Sequence, residues 1–79
     1  MNLPRDIDAS KLIKALRKLG YETTRQSGSH IRLTTQQNGQ HHLTIPNHDP
    51  LKIGTLNAII TEVAKHLGVS KQELVERLF

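Results

Sequence analysis

The sequence contains no cysteine and no tryptophan. No disulfide framework, thiolate nucleophile or cysteine-based zinc site can therefore exist, and a reducing compartment, the cytoplasm, is the expected location. Aromatic side chains are almost as scarce, with a single tyrosine, Tyr21, and a single phenylalanine, Phe79. That excludes the platform of stacked aromatics on which many single-strand binders hold bases. Long apolar runs are missing too: the longest is Ala58-Ile59-Ile60, far short of the roughly 20 residues of a membrane-spanning helix. The start, Met1-Asn2-Leu3-Pro4-Arg5-Asp6, lacks the apolar run of a signal peptide, so neither secretion nor membrane insertion is expected. At 79 residues the chain is read as one domain, 1–79, near the lower size limit for independent folding and too small for a deep substrate cavity.

What the chain does have is positive charge, unevenly placed. Residues 1–54 hold eight Lys+Arg against four Asp+Glu, whereas residues 55–79 hold three of each, so the whole net charge of +4 lies in the first part. Clustered cations on a tiny protein fit a polyanionic partner, because phosphates gain most from them. They also fit a basic surface that serves solubility.

Hydrophobic periodicity divides the chain into six elements. Leu12, Ile13, Leu16 and Leu19 recur at helical spacing between Asp8, a good N-cap, and Gly20, a good helix-ending residue, which predicts a helix over 9–19. From 21 to 46 the period changes to two, with β-branched residues, predicting strands over Tyr21–Arg25, Ser29–Thr35 and His41–Pro46. Ile31 and Leu33 then share a face with Leu43 and Ile45, while His30, Arg32 and Thr34 take the other. Matching apolar to apolar pairs Ile31 with Ile45 and Leu33 with Leu43, which centres the turn on Asn38 and demands a three- or five-residue connection with Gly39 at positive φ. Leu56, Ile59, Ile60, Val63 and Leu67 mark a second helix, opened by Gly54-Thr55 and closed by Gly68. Ser70-Lys71-Gln72-Glu73 is a capping box opening a short third one. The order αβββαα makes an α+β domain of two layers: a three-stranded antiparallel sheet with helices on one face and polar side chains on the other.

Five histidines are many for this length. His41 and His42 are strand neighbours pointing to opposite faces, so they cannot chelate one metal together, and no metal or cofactor site is expected. His66, in the last turn of the second helix, is placed to meet the C-terminal carbonyls of that helix. His30 differs: it stands on the uncovered face, two residues from Arg32 and just after Gly28-Ser29. An imidazole beside a guanidinium can move a proton while the cation holds a phosphate, as cleavage of RNA through its own 2′-hydroxyl requires. The register also sets His30 opposite Pro46, with His48 beyond it as a possible auxiliary group or a loop histidine bonded to nearby backbone. Paired carboxylates, a nucleophile elbow around Ser29 and a phosphate-cradling glycine loop are all lacking.

Several segments in order resemble the HicA-type toxins, small bacterial mRNA interferases related in fold to double-stranded RNA-binding domains. They are Leu12-Ile13-Lys14-Ala15-Leu16-Arg17-Lys18-Leu19-Gly20-Tyr21, Arg25-Gln26-Ser27-Gly28-Ser29-His30, Ile45-Pro46-Asn47-His48 and Lys52-Ile53-Gly54-Thr55-Leu56. The resemblance puts His30 at the family's catalytic histidine, presented by the Gly28-Ser29 turn. It implies metal-independent cleavage of mRNA, with Arg25 or Arg32 near the scissile phosphate. Lys11, Lys14 and Lys18 form a stripe at i, i+3, i+7 on the first helix that would contact RNA phosphates, or would be an ordinary solvated face. The resemblance also names a HicB-type antitoxin as partner, expected to be acidic and to cover the His30 face. Two other readings compete. One is an RNA-binding module in which His30 is incidental. The other is a DNA-binding helix-turn-helix over Val63–Leu74, which Glu73 and Glu76 on the would-be recognition helix disfavour.

Overall fold

In a computed structural model, which describes residues 3–79, the elements follow one another as α1 (Ala9–Arg17), β1 (Glu22–Ser27), β2 (His30–Thr35), β3 (His41–Pro46), α2 (Ile53–Leu67) and α3 (Lys71–Leu78). This is the α+β arrangement expected, with a three-stranded antiparallel sheet in the order β1-β2-β3. The β2–β3 register is also as expected: Ile31 faces Ile45 and Leu33 faces Leu43. Five residues, Gln36 to Gln40, join the two strands, and both Asn38 and Gly39 turn at positive φ, 57° and 94°.

Local chemistry sets the helix limits. Asp8 accepts a 2.8 Å hydrogen bond from the Lys11 amide and starts α1. The helix ends at Arg17, two residues earlier than the periodicity predicts, because Gly20 swings to φ 82° and the chain closes on itself. The Tyr21 amide bonds to Leu16 O and the Gly20 amide to Arg17 O, the pair of bonds that satisfies carbonyls at a helix end. A side chain at Gly20 would be strained by that φ and would collide with Gln37 at 2.9 Å. Ser70 caps α3 by accepting from the Glu73 amide, but the return half of the capping box is absent: the Glu73 carboxylate is taken by Arg77 at 2.6 Å.

The core lies between sheet and helices. Leu12 and Leu16 of α1, Leu33, Leu43 and Ile45 of the sheet, Leu56, Ile60 and Val63 of α2, and Leu74 and Leu78 of α3 are all buried there, with Tyr21. Each such side chain gains about 1.5–3 kcal/mol on leaving water. Among the described residues Thr35 is the one buried polar residue apart from the tyrosine, and its hydroxyl is used twice, donating to Leu19 O and accepting from the Gln37 amide. Coverage is uneven, however. All six residues of β1 are exposed, although α1 runs alongside that edge strand.

Candidate active face

The site is built from the β1–β2 hairpin. Ser27 and His30 are its last pair, so Gly28-Ser29 is a two-residue loop. Gly28 adopts φ 56°, the glycine-first arrangement of a type II′ turn, whose twist suits a hairpin. His30 thus enters β2 on the face away from the helices, exposed, with Ser27 on one side and Pro46 on the other. Ser29 O accepts from the Asn47 amide at 2.6 Å, which ties the loop to the end of β3.

A bulge in β1 decides what surrounds the histidine. Pairing runs Glu22↔Thr34 and Thr23↔Leu33, then shifts by one so that Arg25 faces Arg32, Gln26 faces Ile31 and Ser27 faces His30. Strict alternation from buried Tyr21 would aim Arg25 at the helices; the extra residue, Thr24, turns it to the open face instead. The bulge is fastened there, since the Thr24 hydroxyl meets the Thr34 hydroxyl at 3.0 Å and Thr34 in turn meets His42 Nδ1 at 2.8 Å. Arg25 and Arg32 are therefore cross-strand partners on the open face, two residues along β2 from His30. Like charges directly opposite on a sheet are unfavourable, and neither arginine has an acid in ion-pair range: the one ion pair among the described residues joins Arg77 to Glu73.

A family model described as "HicA toxin of bacterial toxin-antitoxin" matches residues 9–69. The chain belongs to the HicA toxin family. No match was found among curated proteins or solved structures. The matched segment of this HicA chain runs from α1 past the end of α2 and takes in every candidate site residue, whereas α3 lies beyond it.

Within this HicA fold the expected site residues fall into two groups. Gly28, Ser29, His30, Arg25 and Arg32 come together at one end of the hairpin. Lys11, Lys14 and Lys18 do not join them, since α1 packs on the other side of the sheet. There the three lysines flank a groove of about 390 Å³ with Ile7, Leu78 and Phe79, and Lys18 Nζ donates to Leu78 O at 3.4 Å. His48 is anchored by its backbone, accepting from the Ala9 amide and donating to Pro46 O, and no hydrogen bond joins it to His30 among the described residues. The described residues contain no cluster of three or more potential metal ligands.

Histidines on the helix side serve structure. His66 does not turn back onto its own helix end as expected; Nε2 reaches across to the β2–β3 connection, within 2.9 Å of Gln37 O and 3.0 Å of Gly39 O. A ring nitrogen shared by two carbonyls must carry the proton. The imidazole stacks on that of His41 with centroids 4.4 Å apart, and His41 Nδ1 shares a 2.8 Å hydrogen bond with the Tyr21 hydroxyl. Burial, followed by the neighbouring Glu62 charge, pushes the Tyr21 phenol up to about 12. Burial and then His66 push His41 below the ordinary histidine range. The sequence reasoning missed both the bulge and this anchor. A signal for the bulge exists: a two-residue Gly28-Ser29 loop makes paired indices sum to 57, while Thr23 opposite Leu33 makes them sum to 56.

Proposed function

We propose that this toxin is an endoribonuclease that cleaves mRNA on the open face of its sheet, with His30 as the catalytic histidine. The facing of Arg25 and Arg32, unpaired and beside His30, carries this reading. A phosphodiester placed over the two guanidinium groups sets its sugar near the imidazole. His30 takes the proton of the 2′-hydroxyl as that oxygen attacks phosphorus, and the arginines hold the extra negative charge of the five-coordinate phosphorane. The bond to the 5′-oxygen then breaks, that oxygen receives a proton from the imidazolium or from water, and a 2′,3′-cyclic phosphate remains. The residues supply both proton movement and charge stabilisation, so the reaction as written needs no metal. An open face suits a polymeric substrate that no cavity of this small fold could enclose.

The same face would receive the antitoxin. A HicB-type partner that presents carboxylates to Arg25 and Arg32 would cover His30, and RNA and antitoxin would compete. The deciding experiment is His30→Ala. The variant should fold with unchanged stability, since the side chain is exposed and makes no hydrogen bond among the described residues, and should lose RNA cleavage and growth arrest. A folded variant that cleaves RNA at the normal rate refutes the assignment. Native protein that binds RNA without cutting it would make this a binding module.

A further inference from the structure

The uncovered strand β1 has a second consequence, on the side of the sheet opposite His30. A groove of about 360 Å³ runs there between α1 and β1, lined by Ser10, Lys14 and Arg17 of the helix, Thr23 and Gln26 of the strand, and Asn47 after β3. Thr23 and Gln26 belong to the helix-facing set, opposite Leu33 and Ile31, yet both are exposed and line the groove beside α1. The bulge at Thr24 is again responsible: without it Gln26 would lie opposite His30 on the other face.

The lining is chemically one-sided. Besides Ile13 of α1 and Ile31 of β2, it contains two cations, four neutral polar side chains and no acid, and neither cation has an ion-pair partner among the described residues. Cations beside hydroxyl and amide groups match a phosphate–ribose backbone, with Lys14 and Arg17 for phosphates and Ser10, Thr23, Gln26 and Asn47 for 2′-hydroxyls and sugar oxygens. An acidic peptide adding to the edge of β1 fits less well, because the bulge interrupts the ladder that such a strand would need. The groove is also connected to the active face. Gln26 is one pair away from Ser27 and His30, and Asn47 is bonded through its amide to Ser29 O, in the loop that presents His30.

We propose that the groove between α1 and β1 is a second RNA subsite, where Lys14 and Arg17 hold phosphates of nucleotides flanking the bond cut at His30. The single strand would pass around the hairpin end, with the scissile phosphate on one face of the sheet and its neighbours on the other. This rests on the endoribonuclease reading.

The test measures RNA affinity in a His30→Ala background, so that no cleavage intervenes. Lys14→Glu/Arg17→Glu is compared with Lys65→Glu/Lys71→Glu, which changes net charge equally on α2 and α3, outside the groove; circular dichroism checks folding of both. The probe is a single-stranded mRNA fragment cut by the native toxin or, if none is cut, a single-stranded RNA of mixed sequence. The groove variant should lose about tenfold or more in affinity at low salt, and the slope of log K against log salt should become shallower by about 1.4, two contacts at about 0.7 each. The control should lose much less and keep its slope. Equal losses in the two variants, or an unchanged slope in the groove variant, would overturn the subsite. So would RNA binding that survives while an acidic protein partner is lost, which would make the groove a protein surface. If native protein cuts no RNA but the groove variant alone loses affinity, the subsite stands and the catalytic role of His30 falls. If the native protein neither binds nor cuts RNA, both fall.

Discussion

Replacing Arg32 with Gln should make the protein more stable and less active. Arg25 and Arg32 are cross-strand partners, and such partners carry their Cβ atoms about 5 Å apart. With guanidinium groups free to splay to about 7 Å in a water-like dielectric, the repulsion is about 0.6 kcal/mol. In a domain of this size, removing it should raise Tm by about 2–5 °C. The gain should be largest near 0.01 M salt, where the Debye length is about 30 Å, and should vanish near 1 M, where it is about 3 Å. Activity should move the other way. A donor aimed at charge that develops in a transition state is worth about 10²–10³ in rate, so cleavage by Arg32→Gln, and by Arg25→Gln, should fall by that order. A double-mutant cycle isolates the pair: once one arginine is gone, removing the other should add no further stability. Arg32→Lys keeps the repulsion and should show no rise in Tm. Thermal melts at several salt concentrations and a cleavage assay on one RNA check every step. Arg32→Gln that melts lower than the native protein, or cleaves as fast, would refute the idea that the two cations are held together for a phosphate.

Two other outcomes follow from the helix-side histidines. His66→Ala frees the Gln37 and Gly39 carbonyls and removes the stack on His41, so it should lower stability by about 1–2 kcal/mol and raise amide exchange in residues 36–40, with little effect on cleavage. In pH, His41 is held below its ordinary range, so its contribution is complete above the unfolded value near 6.5 and is lost as pH falls through the lower folded value. Tyr21 behaves oppositely: raised from 10.0 to about 12, it contributes roughly 2–3 kcal/mol below pH 10 that disappears between pH 10 and 12. Denaturant midpoints across pH should show both flanks, and His41→Asn should flatten the acidic one. An acidic flank that persists in that variant would assign it to another group.

Most of the architecture was legible in the sequence because it depends on short-range periodicity and on termini that cap themselves. Asp8 and Ser70 accept the amides expected of N-caps, and apolar matching alone placed Ile31 opposite Ile45. His30 could be singled out for the same reason, since alternation along β2 separates it from Ile31 and Leu33. The family resemblance is borne out by the match over residues 9–69, while the role of His30 within it is a proposal.

Tertiary structure decided the rest, in places where two local preferences conflict. The turn at Gly28-Ser29 and the burial of Tyr21 require registers one residue apart, and only a bulge satisfies both; inserting Thr24 reverses the faces of Arg25 and Gln26 together. One side chain thereby joins His30, and the other enters the groove beside Lys14 and Arg17. The lysine stripe shows the complementary limit. Helical spacing correctly puts Lys11, Lys14 and Lys18 on one face, but where that face points is set by packing of α1 against the sheet and α3, which places it away from His30 and beside Leu78 and Phe79. Periodicity tells which side chains travel together; the packing of distant elements tells what they meet.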